Sequence, residues 1–375
     1  MHGLHTPAQL AFRRCIKRPY GRRWSPNITL EVCGTSLGHQ TAPYSFAKTP
    51  SPPVPGLIMP YIQDACPSPL PLCASVDAIA EIKDTLKDFL RRLNYRPPHT
   101  PANAKLRAEV TAEIVSWNAD LSPSFMHGLA ETCYTIAESA YAHTSYEHQR
   151  IIALYTTYLT YVDDLGGRDL DALGEFGRRL LTREALGDPA LDRLVTNLQD
   201  MYAYYPRLSA HSIAVSTLDF FVGSYVEATG KGMAVAPGAT KYPAYMRMKT
   251  GIGAAYALLN FVKDWRDPED LFYLQLIPEI EFYTDTINDI LSFYKESLAG
   301  ETDNLIHLRA AAEQKDPLSV LREVVEETLE SIRKVEALTA ADPQLAKICR
   351  SYVVGYVEFH FRARRYRLED LEMEY

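Results

Sequence analysis

The 375-residue sequence predicts an all-α fold, and three observations carry that prediction. From residue 75 onward, apolar residues recur at spacings of three and four along successive segments. The intervals between these segments hold helix-stopping residues: Pro123, Gly187-Asp188-Pro189, Pro206, Gly230 to Gly238, Asp267-Pro268, Gly300 and Asp342-Pro343. No stretch sustains the period-two alternation of a half-buried strand, and no segment repeats at a fixed length.

Residues 1–75 contain TPSPPVPGLIMP and ACPSPLPLC. Proline lacks the N–H that helices and sheets need, so an extended, disordered arm is expected here. At Ser75 the texture changes to SVDAIAEIKDTLKDFLRRL, a capped amphipathic helix. Further helices are expected near 105–118, 124–144, 147–164, 169–183, 189–204, 210–229, 240–262, 268–297, 316–338 and 343–370. Several are apolar over more than a narrow stripe, which places them inside a bundle. The expected organisation is an arm at 1–75 and one helical domain at 76–375.

A net charge of −8 argues against a nucleic-acid binder, because phosphate neutralisation needs a basic surface. The six cysteines show no CxxC pair and read as reduced thiols. The longest apolar run, near GIGAAYALLNFV at 251–262, is too short to span a bilayer. The arm carries Arg13, Arg14, Lys17, Arg18, Arg22 and Arg23 before its first acid, Glu31, a mild likeness to a transit segment. The expectation is nevertheless a cytoplasmic protein with a disordered tail.

Three segments carry the chemistry. In IIALYTTYLTYVDDLGGRDL, residues 151–170, Tyr155, Tyr158 and Tyr161 are spaced by three along a helix that ends in Asp163 and Asp164. In NDILSFYKE, residues 288–296, Asn288, Ser292 and Glu296 stand at i, i+4 and i+8, so their oxygens share one helix face. One charged and two neutral oxygen donors suit a hard divalent cation such as Mg²⁺, with phosphate oxygens completing its shell. In FRARRYRL, residues 361–368, four arginines fall within eight positions of an acidic chain. Guanidinium forks match phosphate oxygens, and Arg247, alone in a mostly apolar helix, needs an anion of its own.

Together these features suggest a diphosphate substrate with an apolar organic half. Metal and arginine would stabilise the departing diphosphate. Aromatic faces would stabilise a carbocation, at roughly 0.5–2 kcal/mol per contact. Candidate linings are Tyr155, Tyr158, Phe220, Phe221, Tyr225, Phe261 and Phe282.

The sequence resembles the class I terpene cyclases, and within them the fungal trichodiene synthase family. The matching segments are Asp163-Asp164, STLDFFVGSYVE at 216–227, YPAYMR at 242–247, NDILSFYKE at 288–296 and RRYRL at 364–368, in the family's order across roughly 76–370. The resemblance implies a terpenoid synthase helical bundle that ionises farnesyl diphosphate with three Mg²⁺ ions and releases a cyclic sesquiterpene. By position, it implies metal-binding roles for Asp163, Asp164, Asn288, Ser292 and Glu296, with Glu227 in support. It implies diphosphate contacts from Arg247, Lys295, Arg365 and Tyr366, of which Arg247 and Tyr366 join Asp163 as catalytic residues. A homodimer is also implied.

Two departures stand out. Where the family has an acid three residues after the second aspartate, this chain has Gly167, and the next acid is Asp169. The chain also has an extra N-terminal arm and stops soon after RRYRL. Two other readings are prenyl chain elongation, which expects a second aspartate-rich motif where NDILSFYKE stands, and a non-catalytic helical descendant of such enzymes.

Overall fold

The computed structural model of the chain describes residues 76–267 and 269–373. The arm expected at 1–75 lies outside the described residues. Thirteen α-helices and no strand occur among those described. They are α1 (Val76–Arg92), α2 (Ala104–Ser116), α3 (Pro123–Ala140), α4 (Tyr146–Leu165), α5 (Leu170–Thr182), α6 (Pro189–Tyr204), α7 (Arg207–Thr229), α8 (Tyr242–Thr250), α9 (Gly253–Leu258), α10 (Ile277–Ala299), α11 (Leu305–Glu313), α12 (Pro317–Thr339) and α13 (Pro343–Arg362). None is long and apolar enough to cross a membrane.

Local chemistry sets most of the helix starts. Asn103, Ser122, Ser145, Asp169, Asp188, Asn304, Asp316 and Asp342 each accept a hydrogen bond from a backbone N–H in the first turn of the helix that follows. Each such cap stabilises its helix by about 1 kcal/mol. Proline follows the cap in α3, α6, α12 and α13, where its missing N–H has no cost.

Helix α10 packs against α1, α9, α12 and α13, and α3 packs against α2, α4 and α13. A buried ionic brace joins α2, α3 and α13. Glu138, 2% exposed, accepts from Arg107 Nε and Nη2 at 2.8 Å each and from Arg362 Nη2 at 2.9 Å. Two guanidinium groups on one carboxylate satisfy a charge that burial would otherwise penalise heavily. The brace sets where the chain leaves α13, and therefore where Arg365 and Tyr366 lie.

Three helix boundaries and one additional helix differ from the sequence-based expectation. The segment 240–262 is not one helix: it breaks at Gly251 and Ile252, with Ile252 at φ +56. The helix expected from 268 begins at Ile277, after a 3₁₀ turn at Phe272–Gln275. The helix expected to reach 370 stops at Arg362; Ala363 is extended, and 3₁₀ turns follow at Arg364–Tyr366 and Leu368–Leu371. Helix α11 was not expected, because its nine residues are too few to show a period, yet Asn304 caps it.

Candidate active site

A cavity of about 470 Å³ opens between α3, α4, α7, α8, α10 and α13. Helix α4 supplies Thr156, Leu159, Thr160 and Asp163 to its wall. This is one helix face, but not the tyrosine face. Tyr155 Oη bonds Thr217 Oγ1 at 2.8 Å, Tyr158 Oη donates to Glu113 at 2.8 Å, and Tyr161 Oη donates to Asp188 at 2.6 Å. These tyrosines are buried against neighbouring helices and do not line the cavity.

Of the seven aromatics proposed as lining, Phe220 alone is there. Phe221 stacks on Phe176, Phe261 packs on Trp265 and Tyr273, and Tyr225 and Phe282 are exposed. Tyr256, Tyr356 and Phe359 line the cavity instead, each less than one-tenth exposed. Buried aromatics and Ile136, Leu159 and Met246 line part of its wall, while Asp163, Lys231, Glu301 and Asp303 are solvent-exposed.

On α10, the strip Asn288, Ser292 and Glu296 lines this cavity, and so does Lys295. Ser292 Oγ is buried and has no hydrogen-bond partner among the described residues. Glu296 Oε2 accepts from Asn304 Nδ2 at 2.9 Å, and its Oε1 lies 3.3 Å from Lys295 Nζ. Asn304 is in turn fixed by His307, whose backbone N–H and Nδ1 reach Asn304 Oδ1 at 3.0 and 2.9 Å. Among the described residues, no three His, Cys, Asp or Glu side chains converge on one point. An all-oxygen set with one carboxylate and an unpartnered buried hydroxyl fits a hard cation that draws further ligands from a phosphate.

Arg247 reaches the same strip from α8. Its Nε donates to Asp289 Oδ2 at 2.8 Å, and its Nη2 to the Asp285 carbonyl at 2.8 Å and Asn288 Oδ1 at 3.3 Å. Burial lowers its affinity for a proton, but the Asp289 and Asp285 carboxyls outweigh that and hold it above the ordinary arginine value. Burial in turn raises Asp289 to about 6 against the opposing pull of Arg247. Burial raises Asp285 to about 8, against the opposing pull of Arg247.

The four C-terminal arginines have four different environments. Arg362 is held by Glu138 and Ser139, Arg364 lies 3.7 Å from Glu131 and is largely in solvent, and Arg367 pairs with Asp370. Only Arg365 lines the cavity, beside Tyr366. Tyr366 Oη accepts from Asn288 Nδ2 at 3.2 Å, and the same Nδ2 lies 3.2 Å from His360 Nε2.

Glu227 lines the cavity, where burial and the neighbouring Asp163 and Asp303 charges raise it to about 7. Asp163 lines it too, whereas Asp164 does not. Burial and the adjacent Asp163 raise the Asp164 carboxyl above its usual range. Asp169 does not turn to the cavity: its carboxylate caps α5 by accepting from the Ala172 N–H at 2.9 Å. A β-carbon at Gly167 would meet nothing closer than 3.8 Å, so packing does not require glycine there. Gly166 is different, since a β-carbon would stand 2.9 Å from Ala228 of α7.

Sequence reasoning missed Thr132, Thr156, Thr160, Asp289, Glu301, Asp303 and Asn304, all of them cavity residues. For α4, the signal was present in the spacing of Thr156, Thr160 and Asp163, which share a face at i, i+4 and i+7.

The trichodiene synthase (TRI5) family model matches residues 107–374. A terpene synthase of Cochliobolus sativus, BipA, is 32% identical over 300 residues, covering 79% of this chain and 92% of its own length. The alpha-cuprenene synthase COP6 of Coprinopsis cinerea is 29% identical over 319 residues, covering 81% and 94%. Among solved structures, linalool/nerolidol synthase from Streptomyces clavuligerus, in complex with 2-fluorogeranyl diphosphate, matches with a TM-score of 0.54 at 16% identity. That match covers 72% of this chain and 99% of the other, and it establishes the shared fold.

Proposed function

Because the chain belongs to the trichodiene synthase family and is a terpene cyclase, we propose that it ionises farnesyl diphosphate with the help of Mg²⁺ and releases a cyclic sesquiterpene. One observation carries the reading. Arg247, Lys295, Arg365 and the oxygen strip of α10 border the same cavity as Asp163, and Phe220, Tyr256, Tyr356, Phe359, Ile136, Leu159 and Met246 give that cavity an aromatic and aliphatic part.

Asp163 from α4 and Asn288, Ser292 and Glu296 from α10 would hold Mg²⁺, with Glu227 nearby; Asp164 is left out of this set because it does not line the cavity. When bound, Mg²⁺ would supply Lewis-acid stabilisation of the diphosphate oxygens. Three ions are the number implied by family resemblance. The chain's own cations do the remaining electrostatic work. Arg247, Lys295 and Arg365 bind the diphosphate, and Tyr366 offers it a hydroxyl.

In the reaction, the bond between the allylic carbon and the diphosphate oxygen breaks and the electron pair leaves with diphosphate. The fixed positive groups favour that charge separation without reorganising. The allylic cation then closes onto its own double bonds. Phe220, Tyr256, Tyr356 and Phe359 line the path with negative ring faces that do not react as nucleophiles. Loss of a proton, or capture of water, ends the sequence.

Incubation with farnesyl diphosphate and Mg²⁺, followed by gas chromatography–mass spectrometry of a hexane extract, tests this reading. A cyclic sesquiterpene hydrocarbon or alcohol is the expected product. Longer prenyl diphosphates would instead indicate chain elongation. No turnover of geranyl, farnesyl or geranylgeranyl diphosphate would refute the proposal.

A further inference from the structure

Asn288 differs from Ser292 and Glu296 in one respect. Its two terminal atoms have opposite character: Oδ1 can meet a cation, whereas Nδ2 presents hydrogens. A ligand of this kind works only if its amide is held the right way round. The structure offers three partners that could hold it, and they are not equivalent.

Tyr366 Oη receives Asn288 Nδ2 at 3.2 Å. A phenol can donate or accept, so it tolerates either orientation of the amide. Arg247 Nη2 donates to Asn288 Oδ1 at 3.3 Å, but this guanidinium is also one of the groups proposed to bind diphosphate. His360 is the third partner, and its polarity is fixed from behind. It has no exposed surface. Its ring lies edge-on to Tyr356, with centroids 4.7 Å apart, and 4.4 Å from the Tyr366 ring.

His360 Nδ1 is 2.7 Å from the backbone carbonyl of Tyr356, one turn earlier on α13. A carbonyl oxygen can only accept, so Nδ1 carries the hydrogen. In the tautomer that this bond selects, the lone pair lies on Nε2. That nitrogen is 3.2 Å from Asn288 Nδ2 and accepts from it. Turning the amide over would set two lone pairs against each other at His360 and bring an NH₂ group against the Arg247 guanidinium.

We propose that His360 is a positioning residue. Its tautomer, fixed by the Tyr356 carbonyl, locks the Asn288 amide with Oδ1 directed away from His360, toward Arg247 and the metal position. The inference rests on the reading of Asn288 as a metal ligand. It assigns the function of a buried histidine that lies outside the diphosphate-binding motif.

A double-mutant cycle tests it, with Mg²⁺ plus inorganic diphosphate as the probe. The readouts are the Mg²⁺ concentration that half-saturates the ligand-induced rise in Tm and the Mg²⁺ dependence of steady-state turnover. His360→Phe keeps the ring volume and removes the acceptor. It is expected to weaken Mg²⁺ dependence about 10–100-fold, the usual effect of losing a partner that orients a metal ligand. Asp at position 288 presents an oxygen whichever way it turns. In an Asn288→Asp background, His360→Phe should therefore change the Mg²⁺ dependence by less than about threefold.

Equal losses in the two backgrounds would mean that His360 only fills space, and the proposal would fall. If His360→Phe does not fold, His360→Gln reads the same cycle, because its freely turning amide also loses the fixed polarity. A wild-type Tm that does not respond to Mg²⁺ and diphosphate would remove the metal reading of Asn288 and this inference with it. A wild-type response kept in full by His360→Phe would overturn the inference alone.

Discussion

A β-carbon on Gly253 would stand 2.6 Å from Oδ1 of Asp285, and one on Gly251 would stand 2.5 Å from its Cγ. The break between α8 and α9 is thus closed over a buried carboxyl of α10, with bare backbone where side chains would collide. Ile252 between them adopts φ +56, a left-handed conformation that a β-branched residue takes only when its surroundings force it. Arg247, four residues before Gly251, bonds the backbone carbonyl of the same Asp285.

Gly251→Ala is therefore expected to cost about 1–3 kcal/mol of stability by overpacking. Gly167→Ala has space for its methyl and should be neutral within about 0.5 kcal/mol. Urea unfolding of the two variants compares them directly. Equal destabilisation would show that the close approach to Asp285 is not what keeps residue 251 a glycine.

Asp163→Asn and Glu296→Gln preserve shape while weakening a carboxylate. Asp163 is exposed, so its substitution should leave Tm within about 1 °C while lowering turnover at least tenfold. Glu296→Gln disturbs the bonds to Lys295 and Asn304, so a small Tm change is expected along with a similar loss of rate. Unchanged turnover in Asp163→Asn would remove α4 from the proposed metal site.

Tyr158 and Phe220 should respond in opposite ways. Tyr158→Phe removes a hydroxyl that donates to Glu113, away from the cavity, and should cost about 1 kcal/mol without changing the product mixture. Phe220→Leu alters the cavity wall itself, so a changed product distribution is expected at similar stability. Product analysis by gas chromatography and a thermal melt of each variant separate the two effects. A product change in Tyr158→Phe would contradict the observed direction of the α4 tyrosines.

Glu227 supplies a pH signature. Its folded-state carboxyl is raised to about 7 from an ordinary 4.5, by burial first and then by Asp163 and Asp303. A raised carboxyl binds its proton more tightly in the folded state. Its favourable contribution is therefore complete below about 4.5 and is lost as pH rises through about 7. In EDTA, Glu227→Gln should match wild type near pH 4.5 and melt at a higher temperature at pH 8. A variant that melts lower than wild type at pH 8 would count against a buried, repelled carboxylate at this position.

The helical fold was legible because its signals are local. Ser145 before α4, Asp188-Pro189 before α6 and Asp342-Pro343 before α13 act through the first turn of their own helices. The strip Asn288, Ser292 and Glu296 was legible for the same reason, since one helix determines the relative directions of its side chains. The break at Ile252 was not legible. It depends on Asp285, which is more than thirty residues away along the chain.

Sequence by itself determined that the chain folds as helices and that α4 and α10 carry oxygen-bearing faces. It also placed a cluster of arginines near the C-terminus. Tertiary structure decided that α4 turns its threonines rather than its tyrosines to the cavity, and that Arg365 alone among the four C-terminal arginines reaches it. The physical reason is that helical periodicity sets the angles between side chains on one helix but leaves the rotation of that helix free. Contacts with other helices set the rotation: Glu113, Asp188 and Thr217 hold the tyrosine face of α4, and Glu138 holds Arg362.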